Sequence, residues 1–229
     1  METTVRVAIL DDHQSIIDGF LYRLMSAKDI QVVASASYGE DLLPMIRNNP
    51  VDVLLLDLSV PTSAENMNQY PMIFTMRGLL NEFPRLKVVI ISNFKERALV
   101  KTAIEHGVCG YIYKDDQASI QQLARIVMIV AAGGNYFSAG AYFDLSEERS
   151  KKNLTPRQME VLAVASAYPD DSTDDLAQRL NISGSTLRNI LSNAYSRLGV
   201  RTRSAAIDRV RQLGIVPTFL QPPKVDQSH

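Results

Sequence analysis

The chain predicts a five-stranded, parallel, doubly wound α/β domain followed by an all-α domain of four helices. Three observations predict it. Short apolar runs, mostly β-branched, alternate with amphipathic stretches through residues 1–132. The alternation lapses at Gly133-Gly134. Beyond residue 154 the apolar residues recur at helical spacing.

In chain order, Val5–Leu10, Ile30–Ser35, Val51–Leu56, Lys87–Ile91 and Gly110–Tyr113 read as five strands. Their near-continuous apolar character suits strands buried on both faces of a parallel sheet. Between them, Ile16, Ile17, Phe20, Leu21 and Leu24 recur as a helix does, as do Leu99, Val100, Ala103 and Ile104. Ile120, Leu123, Val127 and Val130 repeat the pattern in a fifth helix. Strands alternating with helices argue for a parallel sheet covered on both sides. Residues 133–153 read as a linker with room for a short helix, ending in the charged run Glu147-Glu148-Arg149-Ser150-Lys151-Lys152. Thr155 is placed to cap a helix whose first residue is Pro156, a position that tolerates the missing N–H. Four helices are expected at 156–167, 173–180, 184–198 and 204–213, within a second domain spanning 154–216. Pro217, Pro222 and Pro223 mark a loose, flexible tail over 217–229.

The 229 residues, 46% apolar and 21% charged, are ordinary for a soluble globular protein. The longest apolar run, Ile126–Ala132, is far too short for a membrane span, and the N-terminus has no signal-peptide pattern. The lone Cys109 excludes a disulfide framework and fits the reducing cytosol, with a small core residue as its plain reading. His13, His106 and His229 have no metal-site spacing. The net charge of −1 conceals an asymmetry: residues 1–150 hold 13 Lys+Arg against 18 Asp+Glu, while residues 151–216 hold 10 against 6. A basic second half points to nucleic acid as its partner.

Function is concentrated at the strand ends. The first strand runs into Asp11 and Asp12, the third into Asp57, the fourth into Ser92 and the fifth into Lys114. In a parallel sheet these ends share one rim, where ligands bind. Three carboxylates, a hydroxyl and an ammonium can together hold a divalent cation, carry a nucleophilic carboxylate and neutralise a phosphoryl oxygen. Each element alone has a bland reading, since Asp11-Asp12 suits a turn and Lys114-Asp115-Asp116 a solvated loop. Their order at four strand ends is what carries the signal.

Four segments stand in this order: Leu10-Asp11-Asp12-His13, Leu55-Leu56-Asp57-Leu58-Ser59-Val60-Pro61, Ile91-Ser92 and Gly110-Tyr111-Ile112-Tyr113-Lys114-Asp115. On them, residues 5–132 resemble a response-regulator receiver domain. The resemblance implies that Asp57 is the phosphoacceptor. It implies Mg²⁺ as cofactor, held by Asp12, Asp57 and the Ser59 carbonyl, with Asp11 acting through water. It also implies that Lys114 neutralises a phosphoryl oxygen and that Ser92 is drawn toward the phosphate. Tyr111 would then rotate inward as a switch, although a tyrosine in an apolar strand is more often a plain core residue. One departure stands out: Thr62 to Pro71 is longer than the usual loop and lacks its glycine.

The second domain resembles the LuxR/NarL-type helix-turn-helix. The resemblance rests on Leu154-Thr155-Pro156-Arg157-Gln158-Met159-Glu160-Val161-Leu162, Leu176 to Ser183, Ser185-Thr186-Leu187-Arg188-Asn189, and Leu198 to Arg203. Ser172 with Asp175 forms a capping-box pattern, and Ser183 is placed to cap the third helix. On that helix Leu187, Ile190, Leu191, Ala194, Tyr195 and Leu198 make an apolar stripe. The opposite face carries Arg188, Asn189, Ser192, Asn193 and Ser196. Such a thin, hydrogen-bonding face suits the major groove, with Arg188 and Asn189 as base readers. Thr186, Arg197, Arg201 and Arg203 are expected at phosphates, which position without specifying. The plain alternative is the wet side of a surface helix. A second departure lies at Tyr168 to Asp175, about two residues longer than usual and rich in aspartate, with Asp174 where the family commonly carries lysine.

Together the resemblances imply a cytoplasmic, two-domain bacterial transcription regulator rather than an enzyme. Its partners would be a sensor histidine kinase, double-stranded DNA and RNA polymerase, and it would act as a homodimer. The alternative is an atypical regulator that binds DNA independently of phosphate. A phosphatase forming an aspartyl phosphate would need a second aspartate where Ser59 stands.

Overall fold

The computed structural model describes residues 4–141 and 154–212; the expected tail at 217–229 and the later part of the expected linker lie outside them. The first domain alternates β1 (Val5–Leu10), α1 (Gln14–Leu24), β2 (Ile30–Ala36), a single 3₁₀ turn (Gly39–Asp41), α2 (Leu42–Asn48), β3 (Val53–Leu56), α3 (Met72–Glu82), β4 (Lys87–Ser92), α4 (Arg97–Glu105) and β5 (Gly110–Tyr113). Then come α5 (Gln117–Gln121), α6 (Leu123–Ala131) and β6 (Tyr136–Phe137). The strands form one sheet in the order β2-β1-β3-β4-β5-β6, every pair parallel.

Period-2 alternation assigns successive strand residues to opposite faces. Val7, Ile9, Val53, Leu55, Val89 and Ile91 meet the apolar sides of α1 and α6, including Ile17, Phe20, Leu24, Ile126 and Val130. Ala8, Leu10, Leu54, Leu56, Val88 and Ile90 face the other way, onto Leu42, Met72, Met76, Val100 and Ala103. The sheet is thereby covered on both faces, and side chains do not compete for its rim. The strand order reverses between β1 and β3, the place where a doubly wound sheet opens a crevice.

Two expectations are corrected. The sheet has six strands rather than five, because Tyr136 and Phe137, inside the stretch expected as linker, pair with Gly110 and Tyr111. Gly110 permits this: a Cβ there would stand 2.9 Å from the Tyr136 carbonyl. A two-residue strand is too short to show alternation. The fifth helix is divided at Gln122 (φ −97°, ψ 16°) into α5 and α6.

The second domain contains α7 (Pro156–Ala167), α8 (Thr173–Arg179), α9 (Gly184–Leu198) and α10 (Arg203–Gln212). Its helix starts are fixed as the sequence predicts. Thr155 and Gln158 form a reciprocal capping box, as do Ser172 and Asp175, and the Ser183 side chain accepts the Thr186 N–H. Leu187, Leu191 and Ala194 of α9 are buried against the domain's core, which is contiguous with the α2–α4 side of the first domain.

Candidate phosphoryl pocket and nucleic-acid face

β1 ends at Leu10 and β3 at Leu56, adjacent and in register, so Asp11 and Asp57 emerge side by side. Both are buried, at 1% and 3% exposure. Lys114, beyond β5, reaches across and donates from Nζ to Asp11 Oδ2 and Asp57 Oδ2, each at 2.7 Å. The other Asp57 oxygen accepts the Ser59 N–H at 3.1 Å, and Asp11 Oδ1 accepts the His13 N–H at 2.9 Å. Asp12 is half-buried and lies 2.6 Å from His13 Nδ1. Ser92 is fully buried at the end of β4, and its hydroxyl accepts the Phe94 N–H at 3.2 Å.

Burial raises the Asp57 carboxyl above its usual range, and the pull of Lys114 in the other direction does not cancel it. Burial also opposes the charge of Lys114, yet Asp57 and Asp11 together hold its ammonium above the ordinary value. One ammonium thus serves two buried carboxylates, while the third, Asp12, pairs with His13. Ligand atoms of Asp11, Asp12 and His13 lie within 4.8 Å of one another. An acidic set short of positive charge, made of oxygen donors at a strand rim, fits a hard divalent cation such as Mg²⁺.

Tyr111 stands in the inward position in this conformation. Its ring is already turned inward, with no exposure, and its hydroxyl donates to the Phe94 carbonyl at 2.9 Å. Burial pushes its phenol well above the ordinary tyrosine value, so it remains a donor.

On α9, Thr186, Arg188, Asn189, Ser192, Asn193 and Arg197 are all exposed, and so is Arg201 just beyond it. The Asp174 carboxylate and the Arg188 guanidinium both lie against Gly184, so the aspartate sits beside the first candidate base reader. Arg203 is placed differently from the expectation. It is half-buried and donates to the backbone carbonyls of Asp171 at 2.9 Å and Pro169 at 3.3 Å. Its guanidinium fastens the loop at Pro169 and Asp171.

The sequence reading missed the contacts between the domains. Tyr168 donates its hydroxyl to Glu40 Oε1 at 3.2 Å, and Asn66 Nδ2 donates to the Ala167 carbonyl at 3.2 Å. The available signal was that both extended loops, 62–71 and 168–175, depart from their families' usual pattern.

An acidic pocket at the switch point of a doubly wound sheet, joined to a capped helix-turn-helix, defines a two-domain class of protein. Residues 7–125 match the response regulator receiver domain, and residues 152–210 match the bacterial regulatory proteins of the luxR family. The chain belongs to the response regulators that carry a LuxR-type DNA-binding domain. Among similar proteins, the transcriptional regulatory protein MctR of Rhizobium johnstonii is 29% identical over 215 residues, covering 93% of this chain and 95% of that protein. LnrK of Bacillus subtilis, also a transcriptional regulatory protein, is 28% identical over 224 residues, covering 90% and 97%. In fold, the chain is similar to RcsB from Salmonella enterica serovar Typhimurium bound to promoter rprA in the presence of phosphomimetic BeF₃⁻. The TM-score there is 0.64 at 16% identity, over 90% of this chain and 98% of that one. No helix among the described residues is long and apolar enough to cross a membrane.

Proposed function

We propose that this response regulator controls transcription through phosphorylation of Asp57 by a sensor histidine kinase. The observation that carries the reading is the Asp57 carboxylate, buried, sharing Lys114 with Asp11, with one oxygen on the Ser59 amide. In the step proposed, an Asp57 oxygen attacks phosphorus and the P–N bond of the donor phosphohistidine breaks. The electron pair leaves on the imidazole nitrogen, which takes up a proton. Lys114 balances charge on the transferred group, and Ser92, at the neighbouring strand end, offers a hydroxyl to a phosphoryl oxygen. Asp11, Asp12, Asp57 and the Ser59 carbonyl would hold Mg²⁺. Its chemistry is to offset the repulsion between carboxylate and phosphate.

The second domain reads DNA with the open face of α9. Arg188 and Asn189 contact bases, while Thr186, Arg197 and Arg201 contact phosphates and Ser192 and Asn193 line the groove. The protein acts as a homodimer on a near-palindromic operator in the cytoplasm, with RNA polymerase as the downstream partner. The test is treatment of the purified chain with a small phosphodonor and Mg²⁺, following Asp57 by mass spectrometry and operator affinity in parallel. Modification with a gain in affinity supports the reading. Modification with unchanged affinity refutes phosphate control and leaves the regulator that binds DNA independently of it.

A further inference from the structure

A cavity of about 420 Å³ opens where the two domains meet, and none of its lining residues belongs to the phosphoryl pocket or to α9. Phe74 and Arg77 of α3, with His106 just after α4, line the receiver side. Thr155, Pro156, Arg157 and Glu160, at the start of α7, line the other. Small-molecule sites favour such domain boundaries, have volumes of this order, and combine apolar walls with a few placed polar groups. Here Phe74 and Pro156 supply the apolar walls.

The polar groups are not equivalent. Arg157 is already engaged: it pairs with Glu160 at 2.5 Å and donates to the Leu180 carbonyl at 3.4 Å, so that wall carries no net charge. Arg77, across the cavity, is exposed and has no ion pair among the described residues. The His106 ring is oriented from behind. Its Nδ1 lies 2.9 Å from the Ile73 carbonyl, which makes Nδ1 the donor and leaves Nε2 for another partner. Edge-on packing against Phe74, with ring centroids 6.4 Å apart, holds the imidazole plane. Thr155 Oγ1 accepts the Gln158 N–H at 3.2 Å and keeps its hydroxyl hydrogen to donate. The first amides of α7 add little, because Pro156 has no N–H and the cap takes that of Gln158. The cavity therefore sets one unpaired guanidinium, one hydroxyl and one imidazole nitrogen around a partly apolar space.

We propose that this cavity binds a small organic anion, a phosphate-type head on an apolar body, between the receiver and the DNA-binding domain. The donor set selects the head. A guanidinium fork takes two oxygens of an anion in one plane. A carboxylate has only those two, whereas a tetrahedral head keeps a third for the Thr155 hydroxyl and His106 Nε2. One proton shared between that oxygen and the imidazole leaves head and walls balanced in charge. The body of the ligand lies against Phe74 and Pro156. Such an anion touches α3, the end of α4 and the start of α7 at once, so it joins the two domains. The site is independent of the reading of Asp57 and stands or falls without it.

The experiment is calorimetry on the full chain without Mg²⁺, using phenylphosphonate, which has no phosphoryl group to transfer. Benzoate serves as the same ring with a planar head, and inorganic phosphate as the head without the ring. Phenylphosphonate should bind saturably and more tightly than either. Arg77→Ala, a change at an exposed position that leaves the fold intact, should weaken it about tenfold or more, as loss of hydrogen bonds to a charged group does. Arg77→Lys keeps the charge without the fork and should fall between the two. Hydrogen exchange in the peptides covering 72–79 and 155–160 should slow together when phenylphosphonate binds. No saturable binding of any of the three probes overturns the proposal. Binding that survives Arg77→Ala unchanged overturns the site. Benzoate as tight as phenylphosphonate overturns the tetrahedral head, and inorganic phosphate as tight overturns the apolar body. Slowing confined to 72–79 overturns the bridge between the domains.

Discussion

The pocket around Asp57 and the outer face of α9 are built on opposite principles. The pocket is buried, its charges are paired across three strand ends, and its geometry is set by the sheet. The α9 face is exposed, and only its inner stripe of Leu187, Leu191 and Ala194 is fixed by burial. A buried carboxylate can be tuned by its neighbours; an exposed arginine keeps its ordinary chemistry until DNA arrives. Covalent switching needs the first arrangement, and reversible recognition needs the second.

Substitutions sharpen this contrast, beginning with the largest effect. Asp57→Asn should reduce phosphorylation to background while Lys114 keeps its Asp11 contact and the fold survives, as phosphodonor labelling and circular dichroism would show. Lys114→Ala leaves two buried carboxylates without their shared ammonium and should cost about 3–5 kcal/mol in chemical denaturation. Added Mg²⁺ should restore part of that loss. On the other side, Arg188→Ala should cost about 1–3 kcal/mol of operator binding and relax sequence preference. Equal losses on operator and random DNA would reassign it to phosphate. Ser183→Ala removes the α9 cap and should lower stability by about 1 kcal/mol, read as a reduced denaturation midpoint.

The smallest effect separates the pocket from ordinary surface electrostatics. The hydrogen bonds from Arg6 hold Asp52 below the usual carboxylate range. A depressed folded-state value means that this pair stabilises the protein above the unfolded carboxylate value and loses its contribution as pH falls through the folded one. Asp57 is raised instead, so it does not share that behaviour. Asp52→Asn should therefore flatten the acid side of the stability profile only slightly, as thermal melts from neutral to acid pH would show.

The convergence of Asp11, Asp57 and Lys114 was readable in the sequence because strand ends in a parallel sheet have few places to go. The helix starts were readable too, since Thr155, Ser172 and Ser183 act on amides only three residues away. Tyr111 was not: its identity was plain, but which way a ring turns depends on a carbonyl at Phe94, supplied by another segment. The contacts of Asn66 with Ala167 and of Glu40 with Tyr168 span 101 and 128 residues and follow no period. What could be read was that each loop was unusual; that they were unusual together was a property of the fold.

Arg203 carries a consequence for ionic strength. Each phosphate neutralised on duplex DNA contributes about 0.9 to the slope of log affinity against log salt. Arg203 already commits donors to the Asp171 and Pro169 carbonyls, so comparing the slope of Arg203→Ala with that of the unaltered chain should read whether its charge also reaches a phosphate.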